Sequence, residues 1–380
     1  MNGKRGRRLL ERLFRKALEG ADPRRGVLEA LSRPSIARLL ATARRVGVFA
    51  CGKAAAPMVQ AIPERFRQRA LVVLPRGFAA EGLGSADVLF SSHPEPDSSS
   101  VAAARRALKY FEGFGRGDVI LCLISGGASS LLAMPRPGVT LAAKRWAVRR
   151  LMRSGASIVD INRLRKSLSA VKGGELGRRA RARLITLVLS DVPGDDPALV
   201  GSGPTVRGRR GDVALIVGSN RLGLEAAARE ARGLRSSTRL TRGRLSGEAR
   251  DEGARFARAI RRLESGQVLL AGGETTVTIR GGSGRGGRNL EFALGAALEL
   301  EGSTGVSILA AGSDGVDGSS SAAGAFVDGA TLARARRLGL DPGRALDRHD
   351  TEPFFRKLGD LLVTGPTGTN VCDWAFGVRR

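Results

Sequence analysis

The sequence predicts an α/β protein of two domains, the first a Rossmann-like domain with a mostly parallel sheet and helices on both faces, the second a smaller α/β domain. Three observations carry this. Short β-branched runs alternate with amphipathic stretches along the whole chain, the pattern of strands separated by crossover helices. Runs such as VILCLI at 119–124 are apolar without alternation, as strands covered on both faces are. The chain has 380 residues, enough for two cores.

In the first part, strand candidates fall at 46–50, 71–74, 88–90, 119–124, 184–189 and 213–217. A second set follows at 268–271, 275–279, 306–311 and 361–364. Helical patterns occupy 101–111, 141–152, 222–231 and 248–263. The Arg/Ser/Gly-rich stretch 233–247 is the best linker candidate, and a long charged helix follows it. The boundary is therefore expected near 250, giving domains at 1–250 and 251–380.

Composition removes several function classes. No segment approaches the about 18 uninterrupted apolar residues of a membrane helix. Glu11, Arg12 and Arg15 interrupt the place where a signal peptide needs an apolar stretch, so the chain reads as cytoplasmic with no membrane partner. Cys51, Cys122 and Cys372 are too few and scattered for a disulfide framework or zinc site, and two histidines argue against a His-based metal centre or a Ser-His-Asp triad. The net charge of +27 raises the question of nucleic acid. Its arginines are spread over nearly every helix, aromatics are 4%, and only eight of 63 basic residues are lysine. That is a chain-wide habit rather than a binding arm, so no specific nucleic-acid partner is expected. The positive field favours small anions.

Polar, glycine-rich segments follow the strands, where open parallel sheets bind ligands. The first is Cys51-Gly52-Lys53-Ala54-Ala55-Ala56: Gly52 turns the chain and Lys53 projects from a helix start that favours anions. A merely solvated lysine is the competing reading. The second, Ser125-Gly126-Gly127-Ala128-Ser129-Ser130, resembles a backbone phosphate cradle, although it is no Walker A loop. A third segment sets Asn162-Arg163-Leu164-Arg165-Lys166 ahead of Lys172-Gly173-Gly174, charge that also suits a solvated helix face. The fourth places Asp191, Asp195 and Asp196 beyond a strand, where acids hold Mg²⁺ or orient a hydroxyl, or else simply form turns. C-terminal loops follow at Gly272-Gly273-Glu274, Gly286-Gly287-Arg288-Asn289, Asp314-Gly315-Val316-Asp317-Gly318 and Thr364–Asn370. An arginine such as Arg288 between glycines and an asparagine can grip a carboxylate or phosphate bidentately.

Taken in order, and together with His93-Pro94-Glu95-Pro96-Asp97, these motifs resemble the glycerate 2-kinase family, whose second half is the MOFRL domain. The likeness runs from about residue 5 to residue 373. It implies a site between two domains, with ATP and Mg²⁺ as cofactors and D-glycerate converted to 2-phosphoglycerate. It also ties Lys53 and Arg288 most closely to catalysis. We add Asp191 as metal ligand or base, with Asp314 as the alternative metal ligand. Nucleotide-contacting candidates are Ser125, Gly126, Gly127, Ser129, Lys166 and Asn220. A homodimer is compatible with this picture.

Three positions depart from the family pattern. Ala128 replaces a third glycine, Leu290 replaces a glutamine, and Ser319-Ser320-Ser321 replaces a segment carrying an acid. Some family members carry the label hydroxypyruvate reductase, the runner-up reading. No strand here is followed by Gly-x-Gly-x-x-Gly with a downstream acid, which counts against it.

Overall fold

The computed structural model describes residues 2–155, 158–241, 243–279, 281 and 284–380. The chain divides into two compact units, Asp22–Ser219 and a second made of Met1–Ala21 with Asn220–Arg380. The division thus falls at Asn220 rather than near 250, and the N-terminal helix Asn2–Gly20 joins the C-terminal unit. The reason is packing: Phe14 from that helix meets Trp374 edge to face, and Gly20 lies against Leu222 and Ala226.

Asp22–Ser219 contains six strands: β1 (Val46–Cys51), β2 (Ala70–Pro75), β3 (Asp87–Ser91), β4 (Val119–Ile124), β5 (Arg183–Ser190) and β6 (Val213–Ser219). All pair in parallel in the order β3-β2-β1-β4-β5-β6, the order of the dinucleotide-binding sheet. Its order reverses between β1 and β4, and the ligand crevice of such sheets opens there, at the strands' carboxyl ends. β2 and β4 are buried at every position, as runs without polar alternation require. Helix Ser98–Glu112 covers one face, with Phe111 edge-on to Phe49 of β1 at 5.2 Å. Its start is fixed by the His93–Asp97 motif: the Asp97 carboxylate accepts from Ser99 N, and Ser100 Oγ accepts from Asp97 N.

The other unit holds β7 (Ser237–Leu240), β8 (Gln267–Gly273), β9 (Val306–Gly312), β10 (Gly324–Asp328), β11 (Leu361–Leu362) and β12 (Asp373–Arg379). Here the sheet is mixed. The order is β11-β10-β9-β12-β8-β7, and only β7 with β8 runs parallel. The chain reaches β12 from β11 without a helix, and β12 enters the middle of the sheet antiparallel to both neighbours. β7 lies inside the expected linker 233–247, of which Arg242 is outside the described residues. β10 and β12 also lie where no strand was expected. The candidate at 275–279 makes only an isolated bridge, Glu248 to Thr276, and that at 361–364 shortens to two residues. Among the described residues no helix is long and apolar enough to cross a membrane.

Helices Ala249–Arg261 and Arg288–Leu300 cross at glycine contacts. A Cβ on Gly253 would stand 2.0 Å from Phe292 O, and one on Gly295 would stand 2.1 Å from Arg250 O. Backbone so close leaves no room for a side chain. Gly295→Val should therefore lower stability by about 2–3 kcal/mol or more, read as a lower urea midpoint. Gly233→Ala, at a helix end with nothing within 4 Å of the added methyl, should not lower it.

Candidate active site

The carboxyl ends of β1, β4 and β5 meet in one backbone lattice. Ser125 N donates to Cys51 O, Lys53 N donates to Gly126 O at 2.9 Å, and Ala54 N donates to Ser125 Oγ at 3.0 Å. Gly52 has φ 131°, and a Cβ there would come within 2.2 Å of Ser125 Oγ, so both conformation and space demand glycine. Gly126 is constrained by space alone: its Cβ would stand 2.2 Å from Asp191 Oδ2. Gly127, at φ 87°, has the His93 ring and the Lys53 stem beside it, with His93 Cδ2 3.1 Å and Lys53 Cγ 3.4 Å from an added Cβ. The structure therefore brings Lys53, Ser125, Gly126, Gly127 and Asp191 together, and adds His93. Burial, and then the neighbouring Lys53 charge, hold the His93 imidazole below its ordinary pKa, favouring the neutral ring.

Two expectations are modified here. The helices after Lys53 and after Gly127 are short, Ala55–Gln60 and Ala128–Leu131, so their dipoles add little. Anion binding must come from the lysine and loop amides. Ala128 does not disturb the loop: it begins the helical turn and is absent from the positive-φ positions, its methyl buried facing Gly201. Ser129 is half-buried next to it. Lys166 runs along Gly173, with its Cδ 3.6 Å from a Cβ built there. Asp196 accepts from Ala198 N at 2.8 Å, the turn-forming role.

The second unit gathers its own polar cluster around Asp373, a residue the sequence did not single out. Arg288 donates to Asp373 from Nε at 2.6 Å and from Nη2 at 3.2 Å, and from Nη1 to Glu274 at 2.6 Å. Its side-on bidentate edge is thus taken by the protein itself. One hydrogen on each terminal nitrogen has no acceptor among the described residues, and the side chain is one-third exposed. Burial works against its charge, but the Asp373 carboxylate and its hydrogen bonds, with Glu274, outweigh that and raise its pKa. Asn289 Nδ2 donates to Asp373 and to Asp317. Asp314 lies near: a Cβ on Gly312 would be 3.2 Å from Asp314 Oδ1 and 3.4 Å from Asp373 Oδ1. Asp314 is committed locally, accepting from Val316 N.

Asn220 is buried, and its Nδ2 donates to Val371 O at 2.8 Å and Asp373 O at 3.0 Å. It clamps the approach to β12, and both its amide hydrogens are spent there. Leu290 belongs to the apolar core, and its amide donates to Asp317. In place of an acid, Ser319 and Ser321 bond to Gly286 and Glu352. Among the described residues no group of three or more His, Cys, Asp or Glu could hold a metal ion alone.

A model described as a domain of unknown function, DUF4147, matches residues 9–231, and the MOFRL family model matches 267–373. Glycerate 2-kinase of Pyrococcus horikoshii is 34% identical over 95% of this chain and 94% of its own. This chain belongs to the glycerate 2-kinase family. A crystal structure of glycerate kinase from Thermotoga maritima, 32% identical, superposes with a TM-score of 0.88 over 98% of this chain and 99% of that one. A relative in Agrobacterium vitis, 37% identical over 97% of this chain and 93% of its own, bears the name putative hydroxypyruvate reductase.

The acid cluster of this glycerate 2-kinase family member has a consequence for stability. Burial lifts the Asp317 carboxyl from 3.8 to about 6, opposed by the amides of Asn289 and Leu290. The protonated form's contribution is complete below pH 3.8 and is lost as pH rises through about 6. We expect Asp317→Asn to remove a loss of stability on the order of 2–3 kcal/mol between those values, seen as a flatter Tm-against-pH curve than wild type.

Proposed function

We propose that the chain is an ATP-dependent glycerate 2-kinase that transfers the γ-phosphoryl group of ATP to the 2-hydroxyl of D-glycerate. One observation carries the choice over the reductase name. In a sheet of this order, a dinucleotide enzyme places Gly-x-Gly-x-x-Gly after β1 to admit the pyrophosphate. Here that turn is Cys51-Gly52-Lys53-Ala54-Ala55-Ala56, and a lysine stands at the crevice instead.

Phosphoryl transfer asks a protein to position two anions and to neutralise charge as it develops. Lys53 and the loop carrying Ser125, Gly126, Gly127 and Ser129 take phosphate oxygens of the donor. Asp191, its carboxylate against that loop, orients the acceptor hydroxyl or a cation. Magnesium would arrive with the nucleotide as Mg-ATP, where it would neutralise phosphate charge, and a carboxylate beside the loop would help hold it. Asp191, set against the serine loop, would supply one place, with Asp314 as the alternative. Arg288, braced by Asp373 and Glu274, offers its two remaining N–H groups to the glycerate carboxylate or the transferring phosphoryl group. We place the enzyme in the cytoplasm, where the buried thiols of Cys51, Cys122 and Cys372 stay reduced.

Purified protein given Mg-ATP and D-glycerate should yield the ³¹P signal of 2-phosphoglycerate with ADP in step. A 3-phosphoglycerate signal would overturn the regiochemistry, and oxidation of NADH by hydroxypyruvate without phosphorylation would overturn the kinase. Lys53→Ala should lower kcat/KM roughly 10²-fold or more, and wild-type kinetics in that variant would remove Lys53 from the scheme.

A further inference from the structure

Next to the serine loop lies a cavity of about 340 Å³ whose charges do not balance. Ser129 and Ser130 line it from the loop, Lys144 from helix Leu141–Arg153, Arg165 from helix Ile158–Ser167, and Lys172 from the segment before Gly173. Glu95 is the acid among its described lining residues, and it is exposed and already paired with Arg145 and Arg149. Lys144 and Lys172 are each only 4% exposed, and Lys144 Nζ has no hydrogen-bond partner among the described residues.

A buried ammonium without an acceptor is costly, and two beside an arginine repel one another. Burial, with Arg165 adding to it, pushes the Lys144 ammonium down to about 8. Burial, and then the charges of Lys144 and Arg165, hold Lys172 well below its ordinary value, the nearby Cys51 thiol acting weakly the other way. Among the described residues no acid is set against these cations to offset this cost. An anion in the cavity would.

We propose that Lys144, Arg165 and Lys172, with Ser129 and Ser130, form a phosphate-binding pocket that extends the Lys53 site. Three cations with no acid of their own match a multiply charged phosphate chain better than a single carboxylate. The cavity is also larger than a three-carbon acid requires. Only the identity of the phosphate carrier, the donor nucleotide, rests on the kinase reading; the pocket itself does not.

Thermal unfolding with inorganic tripolyphosphate tests the pocket without turnover. Tripolyphosphate should raise the wild-type Tm by several degrees. Lys144→Met should have a Tm equal to or above wild type without ligand, because an unsatisfied cation has been removed. It should also lose tripolyphosphate affinity at least 10-fold, and Lys172→Met should do the same. Arg229→Met, an exposed arginine of the other unit, removes equal charge and controls for the overall field. A loss no larger in the lysine variants than in Arg229→Met would overturn the pocket, as would a wild-type Tm unmoved by tripolyphosphate. In kinetics, Lys144→Met should raise the KM for ATP at least 10-fold and leave that for D-glycerate within about 2-fold. The opposite split would assign the pocket to the carboxylate and overturn the phosphate assignment. Tripolyphosphate binding without glycerate phosphorylation would keep the pocket and discard the kinase. Glycerate phosphorylation with unaffected lysine variants would do the reverse.

Discussion

The backbone of Asp22–Ser219 packs closely on itself where β1 and β4 end, and the site there depends on that contact. Parallel pairing brings Cys51 alongside Ile124, so the loops leaving both strands must turn in the same space. Hydrogen bonds from Lys53 N to Gly126 O and from Ala54 N to Ser125 Oγ hold the two turns together. Three glycines make that contact feasible: Gly52 and Gly127 by their positive φ, and Gly126 by giving its side-chain volume to the Asp191 carboxylate. A base of interlocked loops fixes Lys53 against His93 and the serine loop more firmly than a single flexible turn could. It also explains why short helices suffice after both loops, since position here comes from the lattice.

The two polar clusters use opposite charge logic. Around Arg288 the protein supplies more acid than base: Asp373 and Glu274 bond the guanidinium directly, and Asp317 lies behind Asn289. Such an arginine is held in one orientation, with two hydrogens left to offer. Around Lys144 and Lys172 the protein supplies base and withholds acid. The first arrangement positions a cation at little cost. The second stores an unfavourable field that a polyanion relieves, which concentrates binding energy on the ligand rather than on the fold.

The apolar runs made the four inner strands β2, β1, β4 and β5 legible, because a strand buried on both faces leaves an unbroken apolar signature, whereas the edge strands β3 and β6 are only partly buried. Gly52-Lys53 and the serine loop were legible too, since glycines after such strands mark the crevice. The C-terminal sheet was harder. β12 mixes Trp374 and Phe376 with Ala375 and Gly377, and β7 is a mostly exposed edge with Arg239 at its centre. Both owe their strand state to pairing with distant partners, which no local pattern records. Asp373 was missed for the same reason, its meaning being set by Arg288 and Asn289 far away in sequence. Asn220 drew attention as polar, yet its donors are consumed holding the chain into β12. Lys144 sat in a helix rich in arginines, and no rule of spacing separates a buried lysine from solvated neighbours.

One compositional feature did point inward. This chain uses arginine almost everywhere a cation is needed, yet Lys53, Lys144, Lys166 and Lys172, half of its eight lysines, lie in this one unit at or near the serine loop and the Gly173 turn. Arginine keeps its proton in any protein environment, so an unpaired buried guanidinium would stay charged at full desolvation cost. Lysine can lose its proton when buried and recover it when an anion arrives. Its compact ammonium also fits between phosphate oxygens without the planar clearance of a guanidinium. At Lys172, burial and the two neighbouring cations favour the neutral amine, and a phosphate chain in the pocket would favour the charged form. Lys144 and Lys172 thus stand where a proton must be able to come and go.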